Sequence, residues 1–340
     1  MKRLAISAAL GALTICGAAR ATPKEDVAAW WRGYERAPSA KTPDGRKLRY
    51  FCLGKGGPTV VLESGLGSSA WSWRTVQTEM ARTTRVCSYD RAGYGTSDEA
   101  RNGRDIDAIA ADLGVVVAAA GGGRPVVLVA HSLGGPIVRQ YAYHHPEKVA
   151  GLVLVDPSGD HQMERFAAVS PNLAKLSSAG NEPTRKCQAL TEKGPIAFGT
   201  PDFVRCVGPA PLDMPPELTR FHVAYGQSPA HYRAILAEYD QALSPQSGAE
   251  ADKARRPLGD TPMIVLSAGK PTMAPGLSDE DSRKITAVWR QMHWEMTSLS
   301  TNARRRFVEG AGHAIQIDRP QAVIEAVNEV VAEARGRRAR

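Results

Sequence analysis

Pro125-Val126-Val127-Leu128-Val129-Ala130-His131-Ser132-Leu133-Gly134-Gly135 is the stretch on which the reading of the whole chain turns. Its first six residues form a short, unbroken apolar run, the pattern of a strand buried on both faces. Ile137, Val138 and Tyr141 then recur at helical spacing, so Ser132 falls in the turn between a strand and a helix. A turn that sharp strains the serine backbone and needs small neighbours. Gly134 fills the position two after the serine, and Ala130 the position two before it, where glycine is commoner. An S-x-G triplet alone is a weak signal. The strand–turn–helix context makes Ser132 a candidate nucleophile.

The same alternation runs outward in both directions. Lys47–Leu53, Thr59–Glu63 and Arg85–Tyr89 read as strands before it, and Val149–Val155, Met263–Leu266 and Phe307–Val308 as strands after it. Between them lie helical patterns: Ile106, Ile109, Leu113, Val116 and Val117, and later Val323, Ile324, Val327, Val330 and Val331. Short apolar strands alternating with amphipathic helices predict an α/β fold with a mostly parallel sheet flanked by helices. Residues 158–258 break the rhythm: they are rich in Pro, Gly and polar residues and show no clear strand. The alternation resumes afterwards, so the expected organisation is a core of 22–157 and 259–340 with 158–258 inserted as a cap.

The 340 residues are 43% hydrophobic and carry a formal charge of +8, which invites a nucleic-acid reading. Most of that charge sits at the ends. Residues 1–21 combine Lys2 and Arg3, a short apolar run and Ala19-Arg20-Ala21, the pattern of a secretory signal peptide cleaved near Ala21. The run is too short for a membrane span. Its removal takes Lys2, Arg3 and Arg20 with no acid, so +8 becomes +5. Arg335, Arg337, Arg338 and Arg340 in the tail then leave +1 for the body. No nucleic-acid partner is expected, and localisation is expected to be periplasmic or secreted. Cys16 follows Ile15 where a lipoprotein signal needs a small residue, so simple export is preferred. Cys52, Cys87, Cys187 and Cys206 remain, an even number that suits disulfides in an exported chain. They show no C-x-x-C and no histidine at ligand spacing, so no metal site is expected.

Two further segments complement Ser132. Ser64-Gly65-Leu66-Gly67 follows an earlier strand and can offer a backbone N–H to a developing oxyanion, as can Leu133 directly after the serine. Gly310-Ala311-Gly312-His313 follows the last strand, where a loop histidine can reach a serine hydroxyl as general base. The chain has neither G-x-x-x-x-G-K-[ST] nor a G-x-G-x-x-G after its first strand, so phosphate cradling is not expected.

Together with Asp90-Arg91-Ala92-Gly93-Tyr94-Gly95-Thr96-Ser97 and the ending Gly312-His313…Asp318-Arg319-Pro320, these elements resemble the α/β-hydrolase superfamily from about Lys47 to Ala334. The resemblance implies a serine hydrolase with Ser132 as nucleophile, His313 as base then acid, and Leu66 and Leu133 as oxyanion donors. It implies no metal or organic cofactor. The acid departs from the common pattern: Thr272 stands where most relatives carry Asp in Gly269-Lys270-Pro271-Thr272. Some relatives place it after the strand that follows the nucleophile helix, which points here to Asp156, with Asp279 and Asp281 as alternatives. In the family's sheet order the strands of Cys52 and Cys87 are neighbours, which implies the pairs Cys52–Cys87 and, within the cap, Cys187–Cys206.

The expected activity is therefore cleavage of a small-molecule carboxylic ester through a Ser-His-Asp triad and an acyl-enzyme. An aminopeptidase or amidase of the same fold is the alternative, with Glu238 and Asp240 as candidate amine ligands, although helix-surface charge is the preferred reading of both. A non-catalytic binding protein is the other. His131 is read as packing beside the nucleophile and His144-His145 as a helix end, and His161, His222 and His231 in the cap as satisfied surface histidines in preference to substrate contacts. Trp71 and Trp73 are read as either acyl-pocket walls or helix packing. Oligomeric state is left open.

Overall fold

The computed structural model of the chain describes residues 23–101, 103–208, 216–271 and 277–338. The expected signal peptide and Thr272 lie outside them. The elements run α1 (Pro23–Glu35), β1 (Ser39–Lys41), β2 (Lys47–Leu53), β3 (Val60–Glu63), α2 (Arg74–Met80), β4 (Val86–Tyr89), α3 (Ile106–Gly121), β5 (Val126–His131), α4 (Gly134–His144) and β6 (Val149–Val155). Six helices follow: α5 (Gln162–Val169), α6 (Asn172–Glu192), α7 (Pro201–Cys206), α8 (Pro216–Gly226), α9 (Pro229–Ala242) and α10 (Pro245–Ala254). The chain then closes with β7 (Met263–Ala268), α11 (Asp279–Met296), β8 (Ala303–Val308), α12 (Ile315–Asp318) and α13 (Pro320–Arg338). Among the described residues no helix is long and apolar enough to cross a membrane.

The strands form one eight-stranded sheet in the order β1-β2-β4-β3-β5-β6-β7-β8. The two pairings of β2 are antiparallel and the rest parallel. The apolar runs are explained by the pleat. Successive residues of a strand face opposite sides, and both sides are covered. Leu128, Ala130, Leu152, Leu154, Met263 and Val265 pack under α3, α4 and α11. Val127, Val129, Val153, Val155, Ile264 and Leu266 pack under α2 and α13. A polar residue on either side of these central strands would be buried, which is why they do not alternate.

Register then fixes where the loops emerge. Glu63 pairs with Ala130, His131 with Val155, Val155 with Leu266 and Ala268 with Val308. The turns after β3, β5, β6 and β8 therefore leave the sheet along one carboxyl edge, where ligand sites of open α/β sheets lie.

Cys52 and Cys87 are register partners on β2 and β4, and their sulfurs are bonded. Cys187 of α6 is bonded to Cys206 at the end of α7, across a sequence separation of 19. The edge strand β8 is longer than Phe307–Val308 suggests. It carries Arg304, Arg305 and Arg306, two of which pair with Glu333 and Glu329 of α13, a charged strand that blunts the sheet edge. Helix α1 has no counterpart in the sequence reading. Trp30, Trp31 and Tyr34 on it pack with Phe51, Ala70 and Leu218 in a separate aromatic cluster.

Closing a loop of this length with a disulfide stabilises a chain by about 3 kcal/mol on the chain-entropy account. Replacing Cys187 and Cys206 together by serine is expected to lower unfolding stability by that order, read by urea titration. An unchanged midpoint would show that the bond does not hold the helical insertion together.

Candidate active site

Ser132 ends β5 at φ 52°, a left-handed backbone that non-glycine residues adopt at strained functional turns. Its amide donates to Val155 O (3.2 Å) and its carbonyl accepts from Gly135 N and Ser158 N, so the turn is held on both flanks. Glycine at 134 is required by close approach: a Cβ there would lie 2.8–3.0 Å from Glu63 and the Ser64 carbonyl. At Gly65 a Cβ would lie 2.8 Å from His131 Nδ1 and 3.1 Å from Ser132 Cβ, so the turn after β3 presses directly on the serine.

His313 Nε2 lies 2.9 Å from Ser132 Oγ, and its Nδ1 lies 2.7 Å from Asp156 Oδ2. Because the carboxylate can only accept, Nδ1 carries the proton and Nε2 is left to face the hydroxyl. Asp156 follows β6 at φ 43° and is 1% exposed. Its Oδ1 accepts from Ala268 N at 2.8 Å. Burial pushes this carboxyl up, but the hydrogen bond and charge of His313 hold it below the usual carboxylate range. The His313 side chain is 47% exposed, open to a substrate and to water. Asp279 and Asp281 stand elsewhere, in the first turn of α11, where Ser278 caps the helix and bonds Asp281. The structure thus brings Asp156, not Asp279 or Asp281, to His313.

His293 is a residue the sequence reading missed. It is fully buried on α11, and burial holds its pKa down at about 4. Its Nε2 donates to Pro157 O (2.9 Å), so Nδ1 accepts from Ser267 Oγ (2.8 Å), 3.9 Å from Asp156 Oδ1. A neutral imidazole thus backs the carboxylate from below. No local pattern marks it in the sequence, because it lies on a helix with no motif. His131 does pack beside the nucleophile: its ring lies 4.6 Å from that of His313, its Nε2 donates to His313 O, and burial lowers its pKa to about 3.

Leu133 caps the N-terminus of α4, where backbone amides lack intrahelical partners. The turn carrying Leu66 is oriented by Arg91, from the loop after β4. Arg91 is 1% exposed; Nη1 donates to Ser64 O and Glu63 (both 2.6 Å), and Nη2 to Gly65 O (2.9 Å). In a trans peptide the carbonyl and the next N–H point in opposite directions. Holding the Gly65 carbonyl on Arg91 therefore turns the Leu66 amide away from the core.

Several expectations are corrected here. Glu238 is not helix-surface charge but fully buried on α9, taking Arg91 Nε and Nη2 (2.8 and 2.7 Å), Arg104 and the Tyr94 hydroxyl. The loop Arg91 and Tyr94 need a carboxylate there. Asp240 is exposed, 3.7 Å from Arg185. His161 is satisfied by Glu164 and Asp252, and His144 closes α4 as read. His222 and His231 are not satisfied surface residues: each has a buried ring nitrogen with no hydrogen-bond partner among the described residues. Trp73 is packed in the core and donates to Ser64 Oγ, whereas Trp71 lines a cavity between the turn after β3 and helices α8 and α9.

Burial raises the Glu238 carboxyl, but Arg91 and Arg104 bring it to about 2, against roughly 4.3 for a free glutamate. The native state therefore binds fewer protons. This contribution is complete above pH ~4.3 and fades as pH falls towards 2. Glu238→Gln, which takes one carboxylate from each of two buried guanidinium groups, is expected to cost about 3–5 kcal/mol at pH 7. The gap from wild type should narrow as pH falls below 4, measured by urea unfolding across pH. A gap independent of pH would contradict this account.

Residues 60–326 match the model of the alpha/beta hydrolase family. The uncharacterized protein YqjL of Bacillus subtilis is 25% identical over 278 residues, which cover 82% of this chain and 85% of that protein. A solved structure of a mutant Pseudomonas aeruginosa protein, provisionally assigned as an epoxide hydrolase, has a TM-score of 0.63 at 21% identity, covering 88% of this chain and 96% of that one. A provisionally assigned lipase of Acinetobacter baumannii has a TM-score of 0.62 at 22% identity, covering 92% and 95%. At such identities the likeness to solved structures is one of fold. The match over most of the chain decides membership: this chain belongs to the alpha/beta hydrolase family.

Proposed function

We propose that the protein is an exported serine hydrolase that cleaves a carboxylic ester. The observation that carries this reading is the unbroken run of hydrogen bonds from Ser132 Oγ through His313 to Asp156, at 2.9 and 2.7 Å. In the proposed mechanism His313 Nε2 takes the hydroxyl proton as Ser132 Oγ attacks the ester carbonyl. Asp156 keeps the other proton on Nδ1 and stabilises the imidazolium. The oxyanion is received by the Leu66 and Leu133 amides, a contribution of the order of 10²–10³ in rate per donor. His313 then protonates the departing alcohol. A water, deprotonated by the same Nε2, releases the acid from Ser132.

The aminopeptidase alternative loses its support from Glu238, whose oxygens are already committed to Arg91, Arg104 and Tyr94 inside the protein. An epoxide-opening reading, suggested by a structural relative's name, would require a carboxylate where Ser132 stands. Export is supported by the two bonded cysteine pairs, which persist in oxidising compartments. We read residues 158–258 as a cap over the carboxyl edge, supported by the contact of α9 with Arg91 and Tyr94.

Ser132→Ala is expected to abolish p-nitrophenyl ester hydrolysis and fluorophosphonate labelling while keeping the wild-type Tm. Labelling that survives would refute the assignment of the nucleophile. Asp156→Asn is expected to lower kcat about 10⁴-fold through the wrong imidazole tautomer. A drop of less than tenfold would remove Asp156 from the mechanism.

A further inference from the structure

Asp156 is held against two backbone preferences. Its φ of 43° lies in the left-handed region, and the residue before a proline is pushed towards extended conformations. Such a turn persists only where its surroundings fix it. Three hydrogen bonds do so here. The Asp156 amide donates to Leu266 O (2.8 Å), the Ser158 amide donates to Ser132 O (2.9 Å), and the Pro157 carbonyl accepts from His293 Nε2 (2.9 Å). Pro157 has no N–H, so its carbonyl is the only hydrogen-bonding handle its backbone offers. His293 is the one side chain among the three grips.

His293 is itself fixed. A carbonyl only accepts, so Nε2 carries the proton and Nδ1 takes the Ser267 hydroxyl at 2.8 Å. Ser267 directly precedes Ala268, whose amide bonds Asp156 Oδ1. One short stretch of β7 therefore orients both the carboxylate and the imidazole behind it. Burial keeps that imidazole uncharged at neutral pH, with a pKa of about 4. A cation 3.9 Å from Oδ1 would instead draw on the charge that stabilises the His313 imidazolium.

Helix α11 carries more than this one contact. Trp289, one turn before His293 and on the same face, sets its ring edge-on to that of His313, with centres 5.6 Å apart. Gly159 lies so close to the helix that a Cβ there would stand 2.4 Å from Met292 Sδ. The loops of Asp156 and His313 thus lean on one helix face. A buried, hydrogen-bonded histidine is ordinarily a packing residue. This one ends on the peptide that adjoins Asp156.

We propose that His293 is a positioning residue of the triad: through the Pro157 carbonyl it holds the turn that presents Asp156, and so keeps the carboxylate on His313 Nδ1. The proposal rests on the Ser132–His313–Asp156 reading above, and it extends the machinery to a residue that touches no reacting atom.

The test compares His293→Gln with His293→Asn in p-nitrophenyl acetate hydrolysis. The Gln amide nitrogen can take the place of Nε2 and donate to Pro157 O, whereas the shorter Asn stands in for Nδ1 and cannot reach. Asn is expected to lower kcat by roughly 10²-fold, the scale of a misplacement of about 1 Å. KM should change by less than about twofold, and Gln should restore kcat to within about threefold of wild type. The far-downfield proton resonance of His313 Nδ1–H should survive in the Gln variant and broaden or vanish in the Asn variant. In an Asp156→Asn background, His293→Asn should cost less than about twofold more, because the carboxylate it positions is already gone. If the Asn protein does not fold, His293→Met, which fills similar space without a donor, replaces it in the same comparisons. A merely structural role predicts a lower Tm with unchanged kcat, or equal losses in both backgrounds. Either result overturns the proposal, as does a Gln variant as slow as Asn. Hydrolysis undiminished in Ser132→Ala or Asp156→Asn rejects the triad reading, and the positioning role with it. The expected losses in those two variants, with kcat unmoved in His293→Asn, reject the positioning role alone.

Discussion

A guanidinium cannot lose its proton inside a protein, and it brings five N–H donors that must all find acceptors. Arg91 meets that demand with two carboxylates and two backbone carbonyls: Glu63, Glu238, Ser64 O and Gly65 O. The partners belong to three different parts of the structure. Glu63 ends a central strand, the two carbonyls belong to the turn that carries Leu66, and Glu238 comes from a helix of the insertion. One buried charge thus fixes the sheet, the turn that carries Leu66 and helix α9 relative to one another. The charge itself is balanced in a line of alternating sign, Glu63–Arg91–Glu238–Arg104–Asp112–Arg46–Asp44, that runs from the core to the partly exposed Asp44. Burial of one isolated member would be prohibitive. Burial of the whole line keeps every member paired.

The reacting groups depend on this frame without sharing in its charge. Ser132, Asp156 and His313 are carried by the loops that follow β5, β6 and β8 at one edge of the sheet, so their separation is set by strand spacing and register. Two of the three hold left-handed backbones that only a rigid surrounding tolerates. The Ala268 amide and His313 Nδ1–H hold Asp156 in one orientation, and His313 keeps one face open. The rigid side is Asp156, and the accessible side is His313.

Much of this was legible in the sequence because it follows from local rules. Continuous apolar runs mark strands covered on both faces, and Ser132 sits where strand pattern gives way to helix pattern. Asp156 could be favoured over Asp279 and Asp281 only through a resemblance, since three exposed-looking acids carry no local distinction. What stayed hidden depends on tertiary pairing. Glu238 lies in a polar helix and looks like surface until Arg91 is known to point at it. The strand through Arg304–Arg306 is disguised because an edge strand need not be apolar. Helix α1 carries its aromatic residues into a cluster whose other members are scattered over almost two hundred positions of sequence.

The placement of Glu238 also bears on how such a chain can change. Insertions between strands are commonly regarded as interchangeable modules that alter what an enzyme accepts while the core persists. Here helix α9 supplies one of the two carboxylates that the core's own arginine binds. A replacement segment lacking a carboxylate at that point would leave Arg91, beside the turn that carries Leu66, with Glu63 as its one carboxylate among the described residues and with two donors unmet. Any segment put in place of α9 must therefore set acceptors where that helix sets Glu238 if all five Arg91 donors are to stay bonded.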